Sequence, residues 1–572
     1  MKIGNRTFLC SGASSGLGLE TARDLLSAGA YIAILDRAAP PADLDSSKVK
    51  YFEIDITDVS QIESAVEGAV EWAKKTGAPL GGVINCAGVG TAAKTIDVFN
   101  EPHSLDLWDF TLAVNLTGSF NLTRLALKHL IKVDPEGEDG ERGVVIFVSS
   151  AAAFEGQPGQ VAYAATKGAL RSMTLPMARD LARHAVRVVT IAPGAFKSAM
   201  TSGMPAKTRR SLENEGVVFP RRMGSPVEDY KTQRWRPFAR QVMIVFQYIA
   251  TPQIHFTIPV REIDVDGGDV WTGSESPCRR LVCADITFAS ITWIRVSLKL
   301  VLAVEMKVAN RTFVVSGGSS GLGLATVRGL VDANARVAIL DQKTPQETFP
   351  PERSLFIQVD ITRLEDLQRA VDATVAWTER TGAILGGVIH CAGVGIDEPI
   401  IDAKGKAHSV ENWERHINVN LTATFNLTRL VLEKLVRVPP ENEPGPDGIR
   451  SDGERGVVIL VSSSAAHEGM PATIAYTATK GAIRALTLPM ARDCARFNIR
   501  VVTLAPGPFE TPLTGRWSER VEKGMSEQSI LYPRRYGAPS EFAATVKWVL
   551  ECSYINGENL RLTGGGRLPA RL

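Results

Sequence analysis

Tyr163 stands four residues before Lys167 in AAFEGQPGQVAYAATKGALRSMTLPMARDLA, and Tyr476 stands four before Lys480 in SAAHEGMPATIAYTATKGAIRALTLPMARDCA. On a helix, residues four apart share a face. A phenol has an ordinary pKa of about 10, and a close ammonium favours its phenolate form, which makes a proton donor and acceptor usable near neutral pH. Ser150 and Ser463 end the runs GVVIFVSS and GVVILVSS, where a hydroxyl can hydrogen-bond a substrate oxygen that becomes alkoxide-like. Taken alone, Tyr-x-x-x-Lys fits an ordinary helix with one half-buried tyrosine and one solvated lysine. Its weight here comes from the residues that accompany it, in the same order, twice.

The first companion is a glycine turn. SGASSGLG sets Gly12, Gly16 and Gly18 between a strand-like run and a helix, and SGGSSGLG repeats this with Gly317, Gly321 and Gly323. Glycine permits the tight turn and lets a pyrophosphate approach backbone N–H groups at the helix's positive end. The second companion is a carboxylate. Asp36 lies 18 residues beyond Gly18, and Asp341 lies 18 beyond Gly323, each ending the next strand-like run. At that distance it can accept from the adenosine ribose hydroxyls and would repel a 2′-phosphate, which favours NAD over NADP. Arg37 weakens the preference in the first copy, whereas Gln342 leaves it intact in the second.

These groups need a scaffold. The runs RTFLCSG, YIAILD, KYFEIDI, GGVINCAG, GVVIFVSS and VRVVTIAPG are rich in β-branched and apolar residues, and helix-period stretches such as Gln61 to Lys75 lie between them. Near-continuous apolar strands alternating with helices predict a parallel sheet covered on both faces, the doubly wound α/β class. At 572 residues, the chain exceeds the roughly 250–300 at which single cores stop growing, so two domains are expected. Gly12 and Gly317, Asp36 and Asp341, and Asn115 and Asn420 are all 305 apart, whereas Tyr163 and Tyr476 are 313 apart. The eight-residue difference falls in a polar loop, VDPEGEDGERG against VPPENEPGPDGIRSDGERG, where added length costs little. The chain thus reads as two tandem Rossmann-like domains, 1–268 and 306–572, with 269–305 as a linker or gene-model joint. After about residue 230 the first copy is irregular. Phe238-Ala239 can match Phe542-Ala543, and REIDVDGG can match ENLRLTGG, but Asp269 to Glu305 has no counterpart.

Composition excludes several classes. Apolar residues are 44% and charged residues 22%, which is ordinary soluble composition. A net charge of +2 gives no field to attract nucleic acid or an anionic membrane. Leu281 to Val304 is apolar but carries Asp285, Arg295 and Lys299, against a membrane span. The seven scattered cysteines contain no paired CxxC clusters, and the pair Cys278 and Cys283 lacks matching partners, so no metal site is expected. The opening MKIGNRTFLCSG enters a strand-like run at once, which leaves no room for a signal peptide. The final Ala570-Arg571-Leu572 has the small-basic-leucine form of a peroxisomal address, with cytoplasm or mitochondrion as the alternatives.

Glycine turn, aspartate, strand-end serine and Tyr-x-x-x-Lys in this order resemble the short-chain dehydrogenase/reductase family almost end to end in both halves. AAFEGQPGQVAYAATKGA, MTLPMARDLA, VRVVTIAPGAF and VFPRRMGSP look like its type 2 3-hydroxyacyl-CoA dehydrogenases, also known as 17β-hydroxysteroid dehydrogenase type 10. The resemblance implies that Tyr163 and Tyr476 transfer the hydroxyl proton, that Lys167 and Lys480 bind the nicotinamide ribose and lower the tyrosine pKa, and that Ser150 and Ser463 orient the reacting oxygen. Asn115 and Asn420 would support a water relay from the lysine. Around NAD it implies Gly12, Ser15, Gly16, Leu17 and Gly18, then Asp36, Asp55 and Ile56, then Asn85, Ala87 and Gly88, and finally Pro193 and Gly194. In the second half the counterparts are Gly317, Ser320, Gly321, Leu322 and Gly323, then Asp341, Asp360 and Ile361, then His390, Ala392 and Gly393, and finally Pro506, Gly507 and the carboxamide-binding Thr511.

The implied reaction interconverts a secondary alcohol and a ketone, with a small acyl-CoA or similar molecule as the substrate. A 3-oxoacyl carrier-protein reductase, a hydroxysteroid dehydrogenase and a catalytically silent NAD-binding scaffold are the alternatives. The resemblance also implies a pseudo-dimer within one chain and leaves further self-association open. Departures mark the halves as different. His390 replaces Asn85 and reads as a tolerated turn residue. His467, Met470 and Thr473 replace Phe154, Gln157 and Gln160, so the two pockets are expected to take different substrates. Ser198 stands where the second half has Thr511, and the second half is expected to be the more active.

Overall fold

The computed structural model describes residues 3–196, 198–202, 244–248, 308–441 and 452–567. The expectations for Phe238-Ala239, residues 218–226 and 261–268, the segment 269–305 with Cys278, Cys283 and 281–304, and the terminal 570–572 lie outside these residues.

The apolar runs form strands where their composition predicts them. In the first lobe these are β1 (Thr7–Ser11), β2 (Tyr31–Asp36), β3 (Val49–Glu53), β4 (Leu80–Asn85), β5 (Gly143–Val148) and β6 (Val186–Ala192), joined in the order β3-β2-β1-β4-β5-β6, all parallel. A seventh strand, β7 (Ile244–Tyr248), pairs antiparallel with β6. The second lobe repeats the pattern with β8 (Thr312–Ser316), β9 (Arg336–Asp341), β10 (Ser354–Gln358), β11 (Leu385–His390), β12 (Gly456–Val461), β13 (Ile499–Pro506) and β14 (Asn559–Leu562), ordered β10-β9-β8-β11-β12-β13-β14. Its last strand pairs parallel with β13, so the two lobes complete this edge differently. Both sheets are doubly wound, and strand order reverses beside β1 and β8, where such folds open a crevice at the carboxyl ends of the strands.

The longer helices of the first lobe are α1 (Gly16–Ser27), α2 (Val59–Thr76), α3 (Leu105–Leu112), α4 (Gly118–Leu130) and α5 (Val161–Leu181). Their counterparts are α6 (Gly321–Asp332), α7 (Leu364–Thr381), α8 (Val410–His416), α9 (Ala423–Leu435) and α10 (Ile474–Cys494), followed by α11 (Pro539–Glu551). Local chemistry sets their ends. Asp58 caps α2 by accepting from the N–H groups of Ser60 and Gln61, and Gly77 ends it with φ at 67°. Between these caps, Ile62, Ala65, Val66, Ala69 and Ala73 form the buried stripe.

The lobes pack through α5 and α10, and one continuous apolar core includes Leu170 and Met173 of the first lobe with Ile483 and Leu486 of the second. The rings of Trp108 and Phe425 stack at 3.7 Å, as do those of Phe120 and Trp413. All four are fully buried, and each large side chain so removed from water contributes about 1.5–3 kcal/mol. Among the described residues, no helix is long and apolar enough to cross a membrane.

Candidate active site

The glycine turn after β1 presses against the turn after β4. Gly12 has φ at 66°, and a Cβ there would fall 2.6 Å from the Ala87 backbone. Gly317 repeats this against Ala392, with φ at 67°. A Cβ on Gly18 or Gly323 would overlap the carbonyl of Gly12 or Gly317, so helix and turn can close only around glycine. Ser15 and Ser320 precede α1 and α6, and neither side chain caps its helix. Backbone N–H groups with a positive helix end behind them suit a pyrophosphate.

Asp36 and Asp341 are built into the same turns. Asp36 accepts from Ser14 N–H at 3.0 Å and Ala38 N–H at 3.2 Å, and Asp341 accepts from Ser319 N–H and Lys343 N–H at the same distances. The glycine cradle and adjoining carboxylate fit the adenosine and pyrophosphate parts of a dinucleotide.

Across the crevice, Tyr163 and Lys167 lie on the first turns of α5, with the Lys167 Nζ 5.6 Å from the Tyr163 ring centre. The Tyr476 and Lys480 pair on α10 repeats that distance. Each tyrosine hydroxyl lies close enough to its strand-end serine, Ser150 or Ser463, for that serine to favour the phenolate. Lys167 donates to the Val148 carbonyl and Lys480 to that of Val461, both at 2.9 Å. Asn115 lies in a π-helical turn, Ala113–Thr117, between α3 and α4. Its Oδ1 accepts from Val89 N–H at 2.7 Å, and its Nδ2 donates to the Val89 carbonyl at 3.0 Å and to Thr166 at 3.2 Å. Asn420 does the same for Val394 and Thr479. Between them sits Gly88, whose Cβ would lie 3.2 Å from Asn115 Oδ1 and 3.5 Å from Lys167 Nζ. Asn115 thus locks the turn after β4 against the lysine.

The electrostatics correct one expectation. The spacing predicts that the ammonium draws the phenol pKa down, but burial raises both tyrosines, and Ser150 and Ser463 only oppose that rise. The lysines yield as well. Burial lowers Lys167 and Lys480 to about 8, so each ammonium is itself close to neutralisation.

Other expected residues fall around the same crevice. Asp55 and Asp360 spend their carboxylates on Thr57 and Thr362, and these hydrogen bonds hold their pKa values down. Pro193-Gly194 and Pro506-Gly507 lie at the ends of β6 and β13. Ser198 and Thr511 occupy equivalent places, 3.7 Å and 3.4 Å from where a Cβ on Gly16 or Gly321 would lie. Asn85 and His390 are not turn residues. Each ends its strand and turns its side chain inward, Asn85 to Thr123 at 3.1 Å and His390 to Thr428 at 2.9 Å. Burial drives the His390 pKa to about 3, so its imidazole is neutral.

Sequence reasoning missed the supports. Ser149 and Ser462 donate to the carbonyls of Lys167 and Lys480 at 2.7 Å and fasten each reactive helix to its sheet. Doubling of the serine at the strand end was the available signal. In the second lobe His416 replaces Thr111, accepts from Ile396 N–H at 3.2 Å and sets its ring 6.5 Å from that of Tyr476.

The family model for short chain dehydrogenases matches residues 6–209 and again 311–522. The chain belongs to the short chain dehydrogenase family. It is an oxidoreductase of that family, and its cofactor is a nicotinamide dinucleotide, NAD or NADP. Among the relatives, the 3-hydroxyacyl-CoA dehydrogenase type-2 of Bos taurus is 38% identical over 44% of this chain and 94% of its own length. The Homo sapiens protein of the same name is 36% identical over 45% and 94%. The ipsdienol dehydrogenase of Ips pini is 30% identical over 46% and 99%. A crystal structure of 3-hydroxyacyl-CoA dehydrogenase type-2 from Mycobacterium avium is similar at 29% identity and a TM-score of 0.40, covering 46% of this chain and all of that one. Each relative is thus matched by about half of this short chain dehydrogenase.

Proposed function

We propose that the protein is an NAD-dependent 3-hydroxyacyl-CoA dehydrogenase that interconverts short-chain 3-hydroxyacyl-CoA and 3-oxoacyl-CoA at two sites in one chain. The observation that carries this is the paired Ser–Tyr–Lys arrangement beside a glycine cradle in each lobe, in a chain that matches mammalian proteins of that name at 36–38% identity over 44–45% of its length. NAD is favoured because Asp36 and Asp341 would repel a 2′-phosphate.

NAD, when bound, supplies the hydride acceptor. Gly12, Ser15, Gly16, Leu17 and Gly18 would hold its pyrophosphate, as would Gly317, Ser320, Gly321, Leu322 and Gly323. In the oxidative direction the phenolate form of Tyr163 or Tyr476 takes the substrate hydroxyl proton on its oxygen and becomes the phenol, while Ser150 or Ser463 hydrogen-bonds the reacting oxygen. Lys167 or Lys480 offsets the phenolate charge, and Asn115 or Asn420 keeps the lysine and the adjoining turn in register. Ser198 and Thr511 would face the carboxamide end of the cofactor.

The test is NADH formation with 3-hydroxybutyryl-CoA by the wild-type protein, Tyr163→Phe, Tyr476→Phe and the double variant. Turnover by the wild type and by at least one single variant, with loss in the double, is expected. Tight NAD binding with no turnover of any 3-hydroxyacyl-CoA or hydroxysteroid would overturn the reading.

A further inference from the structure

Asp180 and Asp493, near the C-terminal ends of α5 and α10, direct their carboxylates into the opposite lobe. Asp493 Oδ1 accepts from Gly159 N–H at 2.8 Å, while its Oδ2 accepts from Thr95 N–H at 2.8 Å and from the Thr95 hydroxyl at 3.1 Å. Asp180 Oδ1 accepts from Ala472 N–H at 2.7 Å and its Oδ2 from Ile400 N–H at 3.0 Å. Both aspartates are buried, at 3% and 1% exposure, so these bonds are made away from water, where a missing partner is costly.

The segments they hold frame the reactive tyrosines. Gly159 and Ala472 lie four residues before Tyr163 and Tyr476. Thr95 belongs to the loop that leaves β4 and begins at the Asn115-locked turn, and Ile400 belongs to its counterpart after β11. In each lobe the two segments are already joined by one backbone bond, Ala93 N–H to the Gly159 carbonyl at 2.8 Å and Glu398 N–H to the Ala472 carbonyl at 2.7 Å. The aspartate from the other lobe closes that bridge into a ring. Ala472 shows how much the ring imposes. Its φ is +61°, a left-handed conformation that Gly159 at +76° takes freely and an alanine resists.

We propose that Asp493 is a positioning residue for the first lobe's site and Asp180 one for the second's, so that neither site is complete without the opposite lobe. The kinetic part of this rests on the dehydrogenase reading above; the structural part does not. Asparagine at either position would present an amide donor where two backbone donors converge. In a Tyr476→Phe background, where only the first lobe turns over, Asp493→Asn is expected to lower kcat/KM about tenfold, mainly through KM for the acyl substrate, by loss of one charge-assisted hydrogen bond. In a Tyr163→Phe background the same change is expected to leave the second lobe's kcat/KM within about twofold, as for an uncoupled distant site. Asp180→Asn should give the mirror result. Equal losses in both backgrounds would mean a purely structural role and overturn the proposal.

Amide hydrogen exchange on the full chain supplies a readout independent of turnover. Asp493→Asn should raise exchange across residues 156–163, and Asp180→Asn across 469–476, each without a matching rise in its own lobe. A rise in the variant's own lobe, or none, would overturn the proposal. If no substrate is turned over by any form, the dehydrogenase reading fails and the exchange pattern alone decides this one.

Discussion

Gly168 of α5 and Gly481 of α10 meet where the two reactive helices cross, and each directly follows a reactive lysine. A Cβ on Gly168 would fall 2.8 Å from the Gly481 carbonyl and overlap the Ala485 side chain, and one on Gly481 would overlap Ser172. The close crossing therefore needs glycine on both helices. It also ties catalysis to assembly, since the helix that presents Tyr163 and Lys167 is the helix that meets the other lobe.

Gly168→Ala and Gly481→Ala are expected to destabilise the protein by about 1–3 kcal/mol each, the usual cost of overpacking a filled core. Thermal unfolding measures this. Because the contact is shared, one substitution should weaken both lobes together. Unfolding of only the substituted lobe would contradict a common core.

The buried lysines make a pH prediction. Lys167 and Lys480 fall from 10.5 to about 8 on folding, chiefly through burial. A base with a depressed folded pKa costs stability while charged. That cost is full below about pH 8 and disappears as pH climbs to about 10.5, so stability from this source rises across that window. The cost is on the order of 3 kcal/mol per lysine, partly offset by the hydrogen bonds to Val148 and Val461. Lys167→Met should therefore abolish first-lobe turnover yet raise stability at pH 7, with the gain shrinking above about pH 8 and gone by about pH 10.5. Denaturant titrations at pH 7 and at about pH 10.5 check it.

Cofactor choice is tested at Asp341, which has no neighbouring arginine in sequence. Asp341→Ala removes a carboxylate that accepts from Ser319 and Lys343 beside the glycine cradle. The ratio of NAD to NADP affinity in the second lobe should fall about tenfold or more, the worth of one charged hydrogen bond or repulsion. Turnover in a Tyr163→Phe background reads it as the ratio of kcat/KM for NAD to that for NADP, and an unchanged ratio would remove Asp341 from cofactor discrimination.

What was legible in the sequence was local. The β-branched runs became the strands, the glycine motifs fell at the switch-point ends of β1 and β8, the tyrosine motifs fell on α5 and α10, and the repeat spacing anticipated two matching lobes. Phenol acidity was misjudged because spacing shows that an ammonium is near but not how deeply both groups are buried. His390 read as a turn residue because its inward hydrogen bond goes to Thr428, on a helix far along the chain. Asp180 and Asp493 escaped notice for the same reason. An aspartate in MARDLA or MARDCA looks like a solvated helix residue until the opposite lobe brings up Ala472 or Gly159.

His416 makes the two sites chemically unlike. In the first lobe the equivalent Thr111 hydroxyl pairs with Thr91 at 2.8 Å, whereas in the second a buried imidazole fills that space, and burial lowers its pKa so that it stands neutral beside Tyr476. The bulkier ring leaves less room next to the reacting phenol. His416→Thr in a Tyr163→Phe background should therefore raise kcat/KM for a long 3-hydroxyacyl-CoA relative to a short one by about tenfold, the scale on which a pocket distinguishes small changes in apolar bulk. Competition between the two substrates in one reaction gives this ratio directly. If the ratio stays at the wild-type value, the difference between the lobes must arise from His467, Met470 and Thr473 instead, which stand where the first lobe has Phe154, Gln157 and Gln160.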